Sequence, residues 1–566
     1  MKASAKRPLL AILAAALVAR LGLMILRGDY IVYDEGYYLL LARSLRGMHT
    51  FALNGLPHVA LSPLQPVVVA LVSAIGIPEL WVSRLLAVLA GALLVLPVAA
   101  LGERIGGRRA GLGAALLVAL SPALMTFVPF FPGRSWNLYF GSEPLFLLLV
   151  FGAVAAAARA AAGGTLRWFV LAGALCGGAF LTRAEGIVTA PLVFLALLWR
   201  VRAQRGAWRR CVVGAAVGLL VCAPYFGYLR ATLARWAFSG RVQVASEGRP
   251  VPSTREAARQ GGAVLDAFVW EGDLDAFQRI QYGLTPDGTR MASQYWGVAR
   301  NPPARTSGAA VPAPVPAPAP PTAGADAAEQ RASPARHLLR GMGVVVPLWL
   351  LALGLAGVAL RGRNAESVWL LPPLLTALVP VFAVYVEPRA LLPFAPLAAI
   401  GVALLWDRID GWMAVRLGVL RLAVPGLVVV ALAVPGGRDA IGAARGDTPL
   451  QRVAGAHRAV GAYLGQTLPA DARIMSLHPA IAIWAHRDWR VLPYDDLGRI
   501  VGYAQAQGAA AIVFSKFEFS PLRDPPRAFT VVLLGAGART GSDRLRVEPV
   551  AETPLLFVGR LARPGP

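Results

Sequence analysis

The sequence predicts a polytopic α-helical membrane protein of about eleven transmembrane helices, followed by a small extracytoplasmic α/β domain at the C-terminus. Three observations carry that prediction. Of the 566 residues, 56% are hydrophobic and 15% charged, and the mean hydropathy is +0.57, too apolar for a soluble array of domains of this length. The apolar residues gather into runs, many of them long enough to span a bilayer. The net charge of +24, from 55 Lys and Arg against 31 Asp and Glu, sits in short clusters between those runs. Such clustering is the positive-inside pattern of a membrane protein and calls for no nucleic-acid partner.

The first span, Pro8 to about Leu26, follows Lys2, Lys6 and Arg7, which places the N-terminus in the cytoplasm. More apolar runs follow it and no small-residue cleavage site does, so it reads as a retained signal anchor. An outer loop covers 28–80. Within it, Pro63 to Ile77 is apolar but too short for a comfortable crossing and reads as re-entrant or interfacial. Further spans fall at 81–101, 110–130, 143–160, 167–182, 185–200 and 211–230, then, after a long outer loop at 231–340, at 341–360, 366–386, 389–407 and 416–434. Arg104/Arg108/Arg109, Arg159/Arg167, Arg200/Arg202/Arg205/Arg209/Arg210, Arg361/Arg363 and Arg408/Arg416 then all occupy short cytoplasmic loops. One helix more or fewer would invert the second half and put basic loops outside.

The transmembrane domain is thus 1–435 and the tail domain 436–566. The long loop carries a Pro/Ala-rich linker at 301–324, whose run Val311 to Pro321 builds no core and reads as an extended spacer. In the tail, Asp447-Thr448-Pro449 starts a helix over Leu450 to Leu468. Short apolar runs at Arg473 to Leu477, Ala510 to Ser515, Thr530 to Leu534 and Leu555 to Gly559 read as strands. Cys176, Cys211 and Cys222 all lie in apolar stretches and read as helix-packing residues, without a disulfide framework or a metal pair.

Charges at helix ends are costly in a membrane unless paired or hydrated, which makes them site candidates. They gather on the outer side: Asp34, Glu35, Arg84, Glu143, Arg183, Glu185, Glu387 and Arg389, whereas the cytoplasmic loops hold few carboxylates beyond Glu103, Glu366, Asp407 and Asp410. Asp34-Glu35 precedes a helical stripe of Tyr38, Leu41, Leu45 and Met48, as in a helix lying in the interface. Asp34 is either the N-cap of that helix, with Glu35 a favourable first-turn charge, or a general base for an incoming hydroxyl. His58 is either a surface loop residue or a hydrogen-bond partner of a phosphate or sugar. Arg389 either grips a phosphate through its planar fork or pairs with Glu387 or Glu185. Arg20, inside the first span, either reaches toward the outer interface or meets a phosphate. Glu247, Glu271, Asp273 and Asp275 lack metal-ligand spacing, no cofactor is predicted, and a divalent metal finds no supporting ligand pattern. P-loop, GxGxxG, HExxH and GxSxG contexts are absent.

The order of Tyr33-Asp-Glu-Gly-Tyr-Tyr38, Ser62-Pro-Leu-Gln-Pro66, Trp81-Val-Ser-Arg84-Leu, Ser142-Glu-Pro144-Leu, Thr182-Arg-Ala-Glu-Gly186 and Glu387-Pro-Arg-Ala-Leu-Leu-Pro393 resembles the polyprenyl-phosphate-sugar-dependent GT-C glycosyltransferases. The protein O-mannosyltransferase and aminoarabinose transferase (ArnT-like) branches are nearest, over roughly residues 8–435. Ser62-Pro63 stands where that family usually has Pro-Pro, and Glu387-Pro-Arg389 where Glu-Arg-Tyr is common. The resemblance implies a multi-pass protein of a bacterial inner (plasma) membrane, with the tail periplasmic. It implies a polyprenyl-phosphate sugar donor in the outer leaflet and a lipid, glycan or protein acceptor, with membrane lipids as the remaining partners. The acidic first-loop residue then lies near the acceptor and the basic residues near the donor phosphate. On that reading Asp34, assisted by Glu35, activates the acceptor for an inverting displacement. Arg389, Glu387, Arg183, His58 and Arg84 form the donor side. The competing classes are a lipid or sugar transporter or flippase, a surface-polysaccharide polymerase or ligase, and a scaffold that works through its tail. A transporter calls for charges near the bilayer midplane and related halves, whereas the charges here lie at one interface.

Overall fold

The apolar runs become helices because a chain in a bilayer has no water for its backbone and must satisfy N–H and C=O groups within each segment. The computed structural model describes residues 3–27, 30–31, 34–53, 56–59, 61–121, 124, 141–233, 236–238, 346–361, 364–383, 391–417, 449–476, 478–492, 501, 504–505, 507–515, 529–534, 546–552 and 556–562. In chain order these contain α1 (Ala3–Arg27), α2 (Glu35–Met48), β1 (Ala52–Leu53), β2 (Leu56–Pro57), α3 (Leu64–Ser73), α4 (Glu79–Leu93), α5 (Val95–Gly106) and α6 (Arg108–Leu120). There follow α7 (Glu143–Ala161), α8 (Leu166–Thr182), a 3-10 turn at Ala184–Val188, α9 (Thr189–Val201), α10 (Ala207–Leu233), α11 (Leu348–Leu360), a second 3-10 turn at Ala365–Leu370, α12 (Leu371–Ala383) and α13 (Phe394–Leu417). The described residues divide into two compact units. The first lies within Met1–Asp29, Leu61–Phe238 and Ser333–Thr448, the second within Tyr30–Ala60 and Pro449–Pro566.

Among the described residues of the first unit, five helical segments are long and apolar enough to cross a membrane: Arg7–Leu26, Glu79–Gly106, Glu143–Ala161, Ala184–Val201 and Ala207–Thr232. Their exposed faces are apolar, with Val18, Ile25, Leu219 and Leu220 each more than 60% exposed. In water that would be an aggregation surface; in a multi-pass membrane protein it is the face turned to lipid. The stretch from Pro63 contains only the 10-residue α3. At 1.5 Å per residue that is about 15 Å, half the hydrocarbon thickness. The long-loop residues 239–345, with the Pro/Ala run and Glu247, Glu271, Asp273 and Asp275, lie outside the described residues, as does the stretch 418–434 of the last expected span.

Small residues set the closest helix contacts. Gly173 and Gly177 of α8 face Gly214 and Gly218 of α10: a Cβ on Gly173 would collide with the Gly214 carbonyl, and one on Gly177 would stand 2.8 Å from the Gly218 oxygen. Facing G-x-x-x-G pairs of this kind let backbones approach in a bilayer, where packing replaces the hydrophobic effect. Cys176 and Cys222 are buried in the same seam, with the Cys222 Sγ 3.8 Å from the Gly177 carbonyl oxygen, as expected of packing residues. Gly173→Leu is therefore expected to lower the thermal unfolding temperature in detergent, at a cost of at least about 1–3 kcal/mol. Gly22→Leu, where an added Cβ meets nothing within 4 Å, should leave it unchanged.

Ion pairs tie the helix ends that carry the basic clusters. Glu366 accepts from Arg104 (Nε, 2.6 Å), from Arg200 and from the Trp369 indole (3.0 Å), while Asn364 caps the 3-10 turn at the Glu366 N–H and donates to the Ile105 carbonyl at 3.1 Å. Asp410 accepts from Arg109 at 2.8 Å, and Asp407 from Arg361 at 3.4 Å. These pairs explain one correction. Arg408 to Arg416 was expected to be a loop, yet α13 runs through it to Leu417. Asp407 just before that stretch and Asp410 within it are both met by arginines at the ends of other helices, which favours a continuous helix there.

The second unit has its own sheet. α14 (Pro449–Thr467) is followed by β3 (Arg473–Ser476), α15 (Ala480–Ala485), β4 (Asp488–Val491), β5 (Ala509–Ser515), β6 (Phe529–Leu533), β7 (Arg546–Glu552) and β8 (Leu556–Ala562). The strand order is β4-β3-β5-β6-β8-β7, mixed parallel and antiparallel. Its core is Ile474, Met475, Ile512, Phe514, Val531, Val532 and Val558, all buried, with α14 and α15 packed together beside it.

Candidate active site

The acidic motif sits at the start of α2 in the second unit. Asp34 occupies the N-cap position, and its carbonyl accepts the first helical bond from the Tyr38 N–H at 3.0 Å. Its carboxylate, however, makes no capping hydrogen bond to the helix. Capping therefore does not account for an acid at this position. Glu35 is fully buried at 0% exposure, and the turn it opens is enclosed on every side: Gly36, Tyr37 and Tyr38 are buried too. The expected apolar stripe holds for Tyr38 and Leu41 but not for Met48, which is 59% exposed at the far end of the helix.

His58 does not behave as a surface loop residue: it is 0% exposed. The antiparallel pair β1–β2, with Leu53 opposite Leu56, folds the chain back so that the His58 N–H donates to the Phe51 carbonyl at 2.9 Å. The imidazole packs edge-on against the Phe51 ring at 5.8 Å. Asn54-Gly55 between the two short runs was the sequence signal for this hairpin.

In the first unit the structure brings three of the expected charges together. The Arg183 guanidinium donates to Glu143 at 2.6 Å and to Glu185 at 3.0 Å. Arg183 and Glu143 are almost wholly buried, while the Glu185 side chain is 21% exposed. Local sequence explains the arrangement. Ser142-Glu-Pro144 starts α7 with Pro in the first turn, where its missing N–H costs nothing, and with an acid favoured by the helix dipole. Thr182 ends α8, its hydroxyl donating to the Gly178 carbonyl at 2.8 Å, and Arg183 leaves the helix in extended conformation. Gly186 lets the turn close on the Ala179 and Phe180 backbone, where a Cβ would collide, and this holds Glu185 beside Arg183.

Arg84 is 0% exposed on α4, next to Ser83, whose hydroxyl accepts from the Gln65 amide at 3.2 Å. The Gln65 carbonyl oxygen, buried, has no hydrogen-bond partner among the described residues, which makes Gln65 of the Ser62-Pro-Leu-Gln-Pro66 segment a polar residue that charge-based reading passed over. Arg20 donates to the carbonyls of Ala16, Val118 and Ala119 at 3.1–3.3 Å. It thereby takes up the last carbonyls of α6, groups a helix leaves unpaired and a cation satisfies well. Glu387 and Arg389 lie outside the described residues. Among the described residues no group of three or more His, Cys, Asp or Glu is placed to hold a metal ion.

Helices, acidic motif and mixed sheet agree with the resemblance of the motifs to the GT-C glycosyltransferases. The family described as dolichyl-phosphate-mannose-protein mannosyltransferase matches residues 60–228, the segment that carries Arg84, Glu143 and Arg183. Among solved structures, the apo oligosaccharyltransferase of Archaeoglobus fulgidus has a TM-score of 0.53 at 14% identity, with 90% of this chain and 69% of that chain covered. The same organism's AglB, in complex with an inhibitory peptide and a dolichol-phosphate, gives 0.52 at 14%, covering 89% and 69%. ArnT from Cupriavidus metallidurans bound to undecaprenyl phosphate gives 0.51 at 13%, covering 89% and 92%. The chain thus has the GT-C glycosyltransferase fold. Comparison with curated protein sequences gives no match.

Proposed function

We propose that the chain is an integral membrane glycosyltransferase that moves a sugar from a polyprenyl-phosphate donor to a lipid, glycan or protein acceptor at the outer face of a bacterial inner membrane. The observation that carries this reading is the fold, shared over nine-tenths of the chain with ArnT bound to undecaprenyl phosphate and AglB bound to a dolichol-phosphate. The acids and arginines of the motifs support it.

In the reaction, Asp34 takes the proton of an acceptor hydroxyl or amine as that group attacks the anomeric carbon. The bond from the anomeric carbon to the phosphate oxygen breaks, and polyprenyl phosphate leaves with the electron pair, inverting the configuration. Glu35 supports Asp34 from within the buried first turn of α2. Arg84 and Arg389 meet the charge that grows on the leaving phosphate, as fixed cations do where charge develops. Arg183 serves the same field, its guanidinium aimed by Glu143 and Glu185. His58, with Glu387, completes the donor side.

The test is mass spectrometry of the purified protein in detergent with a panel of polyprenyl-phosphate hexoses and pentoses. Consumption of one donor and release of polyprenyl phosphate is the expected result. Arg389→Ala should then raise the donor KM more than it lowers kcat. Wild type that neither consumes nor binds any donor would remove the reading.

A further inference from the structure

Gly36 and Tyr37 take no part in the chemistry proposed above, yet they are buried in contacts that join distant parts of the chain. Beside Ile31, which a Cβ on Gly36 would meet at 3.4 Å, these contacts reach the C-terminal domain. A Cβ on Gly36 would stand 2.8 Å from the Pro479 ring and 3.7 Å from Ile483, so only glycine lets α2 lie this close to the start of α15. The Tyr37 ring meets the indole of Trp489 edge-on at 5.6 Å and the imidazole of His478 at 6.2 Å. His478 is itself fixed. It stacks on His457 of α14 at 5.0 Å, its Nδ1 accepts from the Ala480 N–H at 3.2 Å, and its carbonyl accepts from the Ser476 hydroxyl at 2.9 Å. Trp489 is pinned by donation to the Ser476 carbonyl at 2.9 Å. On the other side of the motif, Tyr30 lies 3.5 Å from where a Cβ of Gly455 in α14 would be. Asp34 therefore stands between two anchor points, Tyr30 before it and Gly36-Tyr37 after it, and both are seated on the same domain.

We infer that the C-terminal domain positions the acidic motif, with Tyr37 seated on His478 and Trp489 and with Gly36 against Pro479. This assigns the tail a part in the reaction that does not require it to touch substrate. The inference rests on the reading of Asp34 as general base. A carboxylate must lie within hydrogen-bond reach of the proton it removes, and a displacement of about 1 Å costs on the order of 100-fold in rate. Asp34 makes no side-chain capping bond to α2, and the contacts on either side of it hold the backbone that carries its carboxylate. Gly36, Tyr37, His478 and Trp489 are positioning residues in this sense.

The test uses full-length protein in detergent, with donor turnover measured beside undecaprenyl phosphate binding and thermal unfolding. Tyr37→Ala and Gly36→Val should each lower kcat by about 100-fold and shift the acid limb of the pH–rate profile, with undecaprenyl phosphate affinity unchanged. Tyr37→Phe, which keeps the ring contacts, should restore most of the turnover. His478→Ala should act in the same direction, and the pair Tyr37→Ala/His478→Ala should lose little more than the worse single variant, because both break one contact. A uniform loss of kcat, lipid binding and unfolding temperature in Tyr37→Ala, with no shift of the pH profile, would overturn the inference in favour of a merely structural contact. Wild-type turnover in Tyr37→Ala and Gly36→Val, with Asp34→Asn inactive, would overturn it and leave the general-base reading standing. Wild-type turnover in Asp34→Asn would remove the base reading itself, and this inference with it.

Discussion

Asp34→Asn is expected to lower turnover by about 100- to 10,000-fold, the usual contribution of one general base, and to leave lipid-donor affinity and thermal stability near wild type. The substitution separates the two roles open to this residue. Asn and Asp are about equally good at a helix N-cap, so a residue that served only the helix would lose nothing. Asp34 already makes no capping bond to α2, which removes even that small term. What Asn cannot do is accept and hold a proton. The acid-side loss of activity that reflects protonation of the base should accordingly disappear from the pH–rate profile of the variant. The check is donor consumption over a pH series, with undecaprenyl phosphate binding measured alongside. A variant that turns over like wild type would take Asp34 out of the chemistry.

Some of this was legible in the sequence and some was not, for reasons that differ from element to element. Strands β3, β5, β6 and β8 follow apolar runs because they lie in the middle of the sheet, where successive residues such as Ile474 and Met475, or Val531 and Val532, are buried. The two strands that the apolar runs did not mark, β4 at Asp488–Val491 and β7 at Arg546–Glu552, are its two edges. Edges are where natural sheets place charge and proline, as in the Glu548-Pro549 of β7 at a break in register. The Arg183 cluster was legible as a set of charges at helix ends, since a charge there needs a partner. Which charge meets which was not, because Glu143 reaches Arg183 only through the packing of α7 against α8. The seat of α2 on the tail left no trace in local pattern. Gly36 and Pro479 meet across most of the chain's length, and neither periodicity nor charge marks a glycine as a point of close approach.

The largest stability effect is expected at Arg183. Replacing it with Met leaves two carboxylates, one of them almost wholly buried, without their shared cation. Breaking a buried pair by removing one partner costs about 3–5 kcal/mol, because the remaining charge keeps its desolvation penalty and loses its compensation. The partially exposed Glu185 adds little to that sum, since water already screens it. Arg183→Lys should rescue only part of the loss. Glu143 and Glu185 bind different nitrogens of one planar fork, Nη1 and Nη2, and a single ammonium nitrogen cannot hold both in the same geometry. The double variant Arg183→Met/Glu143→Gln should recover stability relative to Arg183→Met, because no buried charge is then left alone. Thermal unfolding in detergent micelles reads all three. The same variants separate fastening from catalysis: if Arg183 also serves the donor phosphate, the double variant regains stability while donor affinity stays low. Recovery of both together would make the cluster a fastener between α7 and α8 and leave the phosphate to Arg84 and Arg389.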